Sequence, residues 1–330
     1  MSDAAGEPGI AGARRRWGVF ALRLAVTAGV LAALGLWLPI AALRDAILSV
    51  PPLLWLGALG AFAGGHAIAA QKWRLLLRST GAEARIRDAF RAHAAGLFAN
   101  LCLPSLVGGD VVRAGIVIAR AGRPEAVALA GVADRVIDTA ALIVLACTGA
   151  ALAPERIDGA GGSVLALAGG SILVAAGAGP WLLLRVRPGH APERLRPLLA
   201  KLQTAVRTLI GRPAVAVGVF VLSLAVQGGF VALNLVLGRE MGIEVAPTVW
   251  LLVWPLAKLV ALVPISLGGI GVREAALATL LLPAGVPAEL AVGQSLVWET
   301  LLVSLGALAG SAALWLGRRD ARQRAAGAAP

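Results

Sequence analysis

The chain has 330 residues, of which 58% are hydrophobic and 15% are charged, and its mean hydropathy is +0.83. Soluble globular domains are about 45–50% apolar and about 25% charged, so this composition excludes a protein built mainly from soluble domains. A net charge of +12 would suggest a nucleic-acid partner in a soluble protein. Here the basic residues stand between apolar runs, which is typical of a membrane protein that meets anionic lipid headgroups. We therefore expect a multi-pass membrane protein and no nucleic-acid partner.

Apolar runs of about 20 residues predict six full membrane spans, because that helix length crosses about 30 Å of hydrocarbon. The predicted spans are 17–38, 51–70, 124–150, 163–184, 213–237 and 288–316. The first run follows a basic stretch and resembles a signal peptide in that respect. It is longer than the usual apolar region of such peptides, which favours an uncleaved first span.

Lysine and arginine are concentrated in four segments between or beyond these spans. They are the N-terminus 1–16, the segment 71–91, the segment 185–212 and the tail 317–330. The positive-inside rule places all four on the cytoplasmic side of the cell membrane and makes 151–162 an external loop. The segment 185–212 is the longest polar stretch, and we expect an interfacial helix and loop held by anionic lipid.

Two further apolar segments, 92–119 and 247–284, are interrupted by proline and glycine and do not fit as simple spans. The first contains LPSLVGGDVVRAG at 103–115 and the second contains VPISLGGIGVREA at 263–275. Both match P-x-x-x-G-G-x-x-x-R, which places Pro104 and Pro264 at the same motif position. The recurrence of five positions predicts an internal repeat.

The charges beside these segments indicate how they enter the membrane. Arginines flank the first segment at both ends, whereas Glu244 and Glu289 flank the second. Two re-entrant hairpins from opposite faces would explain this, and two ordinary spans per segment is the alternative. The predicted fold is all-α, with six spans and two re-entrant hairpins arranged as inverted membrane repeats, 17–150 and 163–316.

The glycine pairs of the motif are candidate binding positions. Irregular backbone at membrane depth must face protein or a wet cavity, because its polar groups find no partner in lipid. Half-helices that begin there would present free N–H groups, which suit a phosphate. A tight turn that only permits close packing is the alternative. The positions are Gly108, Gly109, Gly268 and Gly269.

Arg113 and Arg273 follow the two breaks at equal spacing. An arginine inside a membrane helix is costly, so a matched pair suggests a shared role such as bidentate contact with a lipid phosphodiester. Snorkelling of Arg113 to the interface and pairing of Arg273 with Glu274 are the alternatives. Asp110 fits an N-cap of the following half-helix, and it could also pair with Arg113 at i, i+3.

Other charged residues lie inside apolar runs. Asp134 and Asp138 share one helical face, with Arg135 beside them. A salt-bridged gate or a proton-coupling site would use these three residues, and static pairing is the alternative. Lys258 and Glu299 are isolated charges of the second half for which a mutual pair is conceivable. Polar residues that suit either a cavity lining or interhelical hydrogen bonds are Asn100, Gln227, Asn234, Ser266 and Gln294.

The sequence offers little for metal or catalytic chemistry. Cys102 and Cys147 lie in apolar stretches without a C-x-x-C pattern, and His66, His93 and His190 are not at ligand spacing. Nucleotide-binding and hydrolase motifs are missing from the sequence. We expect no metal, no cofactor and no enzymatic activity.

Four strings together resemble one known family. QKWRLLLRSTG at 71–81, LPSLVGGDVVRAG, DRVIDTAAL at 134–142 and PISLGGIGVREAAL at 264–277 are similar to the transmembrane region of lysylphosphatidylglycerol synthases. The resemblance extends over about 50–316. It implies a flippase-type module that moves phospholipid or a related lipid between leaflets. In two-domain members a soluble aminoacyl-transferase domain follows, and only the short basic tail stands there in this sequence.

The resemblance therefore implies a lipid flippase or scramblase with anionic phospholipids as partners, and not the synthase activity. A membrane-embedded enzyme that modifies a lipid headgroup, with Asp134 or Asp138 as base, is a second hypothesis. An accessory subunit for a separately encoded soluble lipid-modifying enzyme is a third. Homo-oligomerisation stays open.

Overall fold

A computed structural model of the protein describes Ala25, Gly29, 40–102, 108–152, 184–187, 192–193, 196–262 and 271–327. Within these ranges the regular structure is helical. The helices are α1 Ile40–Leu48, α2 Pro52–Thr80, α3 Ile86–Cys102, α4 Gly108–Ala121, α5 Pro124–Leu152, α6 Arg196–Ile210, α7 Pro213–Glu240, α8 Pro247–Ala261, α9 Val272–Leu281 and α10 Ala288–Gly327. A short 3₁₀ turn, Leu282–Ala284, follows α9.

Local sequence signals set the ends of the long helices. Pro52, Pro213 and Pro247 stand in the first turn of α2, α7 and α8, where the missing proline N–H costs no hydrogen bond. Gly81 ends α2 in the left-handed conformation with φ of 92°, and its N–H donates to carbonyls of the last turn. This glycine cap is a common way to end a helix.

Four of the described helices are long and apolar enough to cross a membrane. They are α2, α5, α7 and the first part of α10, Ala288–Ala313. The spans predicted at 51–70, 124–150, 213–237 and 288–316 are therefore confirmed as helices of spanning length. The spans predicted at 17–38 and 163–184 fall almost wholly outside the described residues.

The helix that contains the predicted span 51–70 is longer than that span. It continues as α2 to Thr80, so the first ten residues of the predicted cytoplasmic segment 71–91 are helical. Lys72 lies inside this extension and is only 2% exposed. Its charged partners, Asp134 and Asp138, are distant in sequence, so a local count of charges does not reveal them.

The two interrupted segments form pairs of short helices. In the first, α3 has 17 residues and α4 has 14; in the second, α8 has 15 and α9 has 10. At 1.5 Å per residue even the longest of them reaches only about 26 Å. The helices of each pair pack against each other. This arrangement matches the predicted hairpins, and their entry into the membrane as re-entrant elements stays a prediction.

The two halves repeat the same order of helices, with α2 to α5 corresponding to α7 to α10. Their packing is reciprocal, because α3 packs on α10 of the other half and α8 packs on α5. Helix α2 also packs on α7, its own counterpart. Helix α1, which precedes α2, packs on α10, and helix α6, which precedes α7, packs on α5. The pairs α3–α10 and α8–α5 interchange when the halves are exchanged, as do α1–α10 and α6–α5, which is expected for a pseudo-two-fold relation.

The direction of α2 and α7 shows how the halves are oriented. Phe62 packs near Phe230, with ring centroids 5.1 Å apart, whereas Lys72 donates to Ser223. Residue numbers rise along α2 as they fall along α7, so these corresponding helices are antiparallel. The pseudo-two-fold axis is then perpendicular to the helices, which is the geometry of inverted repeats.

Glycines bring the two halves into close contact. A methyl group on Gly310 of α10 would lie 2.7 Å from Cβ of Phe98 on α3, and one on Gly306 would lie 2.6 Å from Leu101. A methyl group on Gly149 of α5 would lie 2.9 Å from Cα of Leu252 on α8. Small residues allow such close approach of helices in lipid, and here they hold each hairpin against the other half.

Candidate functional site

The first motif arginine is enclosed by ion pairs. Arg113 on α4 is 7% exposed, and its Nη2 lies 2.8 Å from Oδ2 of Asp134 on α5. Its Nε lies 3.0 Å from Oδ1 of Asp110 one turn earlier. The guanidinium carbon stands 4.6 Å from the ring centroid of Trp73, which adds a cation–π contact. Arg113 is thus buried among its partners and does not extend to the surface, as the snorkelling alternative would require.

Lys72, which the sequence analysis placed in the basic segment 71–91, joins this network. Its Nζ lies 3.0 Å from Oδ1 of Asp134, pairs closely with Asp138, and donates to Ser223 Oγ at 3.0 Å. Asp134 and Asp138 therefore share a face, as predicted, and both face α2. The lysine and the arginine beside Asp134 offset the free-energy cost of burying its charge.

Asp110 is an ion-pairing residue in this structure. Its carboxylate contacts Arg113 and accepts from Nε of Arg135 at 2.8 Å. Asp110 stands in the first turn of α4, two residues after the helix begins at Gly108, and not at the N-cap position. The N–H of Gly109 donates to the side-chain oxygen of Asn100 on α3 at 2.8 Å. Of the two roles weighed for Asp110, the i, i+3 pair is therefore the one observed.

Gly109 serves close packing. A methyl group there would meet the Asn100 side chain and the backbone oxygen of Gly96, so α3 and α4 approach too closely for a larger residue. This observation favours the tight-turn alternative for Gly109, and Gly108 is buried beside it. Gly268 and Gly269, with Pro104, Pro264 and Ser266, lie outside the described residues.

The second motif arginine has a matching arrangement. Nη2 of Arg273 on α9 lies 2.6 Å from Oε2 of Glu299 on α10 and 3.0 Å from Oε1 of Glu274. Its Nε donates to Ser295 Oγ at 3.0 Å, and this hydroxyl donates to Glu274 at 2.8 Å. Glu274 also accepts from the N–H of Gly271 at 2.6 Å. The predicted alternative, a pair with Glu274, is observed.

The two networks share one plan. In each half, the arginine of the second hairpin helix pairs with a carboxylate on the long helix that follows, Asp134 on α5 or Glu299 on α10. In each half a nearby carboxylate, Asp110 or Glu274, gives a second contact. The repeated sequence motif is thus matched by a repeated ion pair, and the carboxylates of that pair, Asp134 and Glu299, lie outside the motif.

Lys258 is held differently from the other buried cations. Its Nζ donates to Oε1 of Gln227 on α7 at 2.8 Å and lies 5.3 Å from the ring centroid of Phe230. The mutual pair considered for Lys258 and Glu299 is not the arrangement observed, because Lys258 donates to Gln227 and Glu299 pairs with Arg273. Gln294 donates to the Asn234 side chain at 3.1 Å, so this polar pair forms an interhelical bond.

Two histidines meet between the networks. Nδ1 of His66 on α2 and Nε2 of His93 on α3 are 3.3 Å apart. The rings of Phe62 and Phe230 pack on His66, with centroids 4.6 and 5.6 Å away. Sequence reasoning missed this pair, since a separation of 27 residues on two different helices carries no periodic signal.

The charges of the described site balance. Its five cations and five carboxylates are Lys72, Arg113, Arg135, Lys258, Arg273, Asp110, Asp134, Asp138, Glu274 and Glu299. Charge at low dielectric is tolerated only with such compensation. The site is thus a set of compensated ion pairs between two hairpins and two long helices.

The fold and the site define a class: a multi-pass, all-helical membrane protein with interrupted helix pairs in two repeated halves. Residues 20–310 match the family model described as the lysylphosphatidylglycerol synthase TM region. The chain belongs to this family. Comparisons with curated proteins and with solved structures give no match.

Proposed function

We propose that this protein is a lipid flippase or scramblase that moves an anionic phospholipid or a related lipid between the leaflets of the cell membrane. The observation that carries the proposal is the repeated pairing of a hairpin arginine with a carboxylate of the next long helix. A phosphodiester presents two oxygens to a guanidinium as a carboxylate does, so it can take the carboxylate's place.

The exposure of the partners supports such an exchange. The side chains of Asp110 and Glu299, one partner of each arginine, are 24% and 30% exposed, whereas those of Arg113 and Arg273 are 8% and 14% exposed. A headgroup from water would therefore reach the carboxylates first and the arginines only as ion pairs open. This order keeps each arginine compensated throughout, which lowers the cost of charge movement in the membrane.

The inverted halves supply two equivalent positions for this headgroup. One arginine belongs to each half, and a pseudo-two-fold axis perpendicular to the helices relates them. In membrane transporters this plan permits alternating access to a central site. We propose that the headgroup passes from one arginine to the other while its acyl chains stay in lipid, and that both chain termini are cytoplasmic.

The test uses purified protein in liposomes with a fluorescent phosphatidylglycerol, whose outer-leaflet fraction is quenched by a membrane-impermeant reductant. We expect the wild type to accelerate leaflet exchange, and Arg113→Ala and Arg273→Ala to slow it by at least tenfold. Arg44→Ala is the matched control, because its pair with Asp45 is largely exposed and worth about 1 kcal/mol or less. Exchange that is absent in the wild type, or equal in all variants, contradicts the proposal.

A further inference from the structure

The contact between His66 and His93 requires a shared proton. Their nitrogens are 3.3 Å apart, and in a neutral imidazole one ring nitrogen donates while the other accepts. One ring must therefore donate to the other. Of the atoms that the structure describes, Nδ1 of His93 is buried and has no hydrogen-bond partner. A buried polar atom without a partner is costly, so this nitrogen marks a place where a proton or a ligand is expected.

The pair lies between the two arginine networks. Gly96 follows His93 by three residues on α3. A methyl group on Gly96 would lie 3.4 Å from Cβ of Arg113, so this part of α3 lies beside the first network. The charges that act on His93 are those of Arg113, Lys72 and Asp134, from α4, α2 and α5. Two of these three groups are cationic.

On the other side, His66 faces the second half. The ring of Phe230 on α7 packs both on His66 and against the Nζ of Lys258, and Lys258 from α8 acts electrostatically on His66. From α10, Trp298 packs on Phe230 at 5.4 Å and precedes Glu299 in sequence. The charged groups named around the pair are thus three cations, Arg113, Lys72 and Lys258, and one carboxylate, Asp134.

These surroundings link the proton to the anion. A positive charge on the imidazoles is repelled by Arg113, Lys72 and Lys258, and a bound anion would offset that repulsion. The effect is reciprocal, because coupling between two binding sites changes both affinities by the same factor. A protonated His93 would also offer Asp134 a new cationic partner, which would loosen the pair of Asp134 with Arg113.

We propose that the His66–His93 pair is a proton-binding site that is coupled to an anionic phosphate headgroup at Arg113, so that proton and lipid are bound together. This inference rests on the proposed function. The proton comes from water and is bound at a ring nitrogen, so no other reactant is needed. The consequence is that a pH gradient drives lipid toward the less acidic side.

Calorimetry tests the coupling without any transport. Short-chain phosphatidylglycerol is titrated into purified protein in detergent, in two buffers with different ionisation enthalpies. We expect the wild type to take up about one proton per lipid, and binding therefore to tighten about a hundredfold from pH 8 to pH 6, about tenfold for each pH unit. His93→Gln and His66→Gln should bind without proton uptake. Absence of lipid binding, or binding by the wild type without proton uptake, overturns the proposal.

The liposome assay with an imposed pH gradient tests the consequence. Wild-type exchange should be fastest from the acidic side, and in His93→Gln the ratio of the exchange rates with and without a gradient should fall to about one. His190→Gln is the matched control, since it removes the third histidine, which lies in the polar segment 185–212. Exchange that ignores the gradient in the wild type refutes proton coupling alone, whereas no exchange at all refutes the proposed function.

Discussion

Asp134 gives the sharpest test of the ion-pair network, because it lies between two cations. Its Oδ1 is 3.0 Å from Nζ of Lys72 and its Oδ2 is 2.8 Å from Nη2 of Arg113, and the residue is 4% exposed. Asp134→Asn keeps the shape of the side chain and removes its charge. Lys72 and Arg113 then each lose one carboxylate in a buried environment.

The magnitude follows from the partners that remain. Removal of one member of a buried ion pair costs about 3–5 kcal/mol. Lys72 keeps Asp138 and Arg113 keeps Asp110, so neither cation is left alone. We therefore expect the lower end of the range, about 3 kcal/mol, which is a factor of roughly 150 in the unfolding equilibrium.

Denaturation in mixed micelles, followed by tryptophan fluorescence, measures this loss. Asp45→Asn is the control, because its pair with Arg44 is exposed and should change stability by less than about 1 kcal/mol. The double variant Lys72→Met/Asp134→Asn should recover part of the loss, since it removes one cation together with the carboxylate. A loss below about 1 kcal/mol for Asp134→Asn, or strictly additive single losses, would refute the buried network.

Three further variants test the packing and the second network by the same denaturation assay. Gly109→Ala should cost about 1–3 kcal/mol, because its methyl group meets a backbone oxygen, whereas Gly115→Ala on the same helix faces open space and should not destabilise. Gly149→Ala should lose a similar amount of stability, because its methyl group would meet the facing backbone, and Gly131→Ala is its control. A variant that is as stable as its control would contradict the close approach of the helices. Ser295→Ala should cost about 1–3 kcal/mol by unpairing buried groups, and no loss would argue against the hydrogen bonds of that hydroxyl.

Much of the architecture is local information and was predictable from the sequence. Long apolar runs predicted α2, α5, α7 and α10, because spanning length and hydropathy are properties of a contiguous segment. Proline and glycine at the interruptions predicted the short helix pairs, since these residues end helices wherever they occur. The repeated motif also predicted that the two arginines would have equivalent surroundings.

The partners of the charged groups depended on tertiary structure. Lys72 meets Asp138 across 66 residues, and His66 meets His93 across 27. The packing of α2 against α5 and against α3 brings these groups together, and no spacing along the chain encodes it. The sequence by itself determined a membrane protein with two repeated halves and matched arginines. Only the tertiary structure decided which carboxylates neutralise them, because charge compensation at low dielectric acts through space between helices that are distant in the chain.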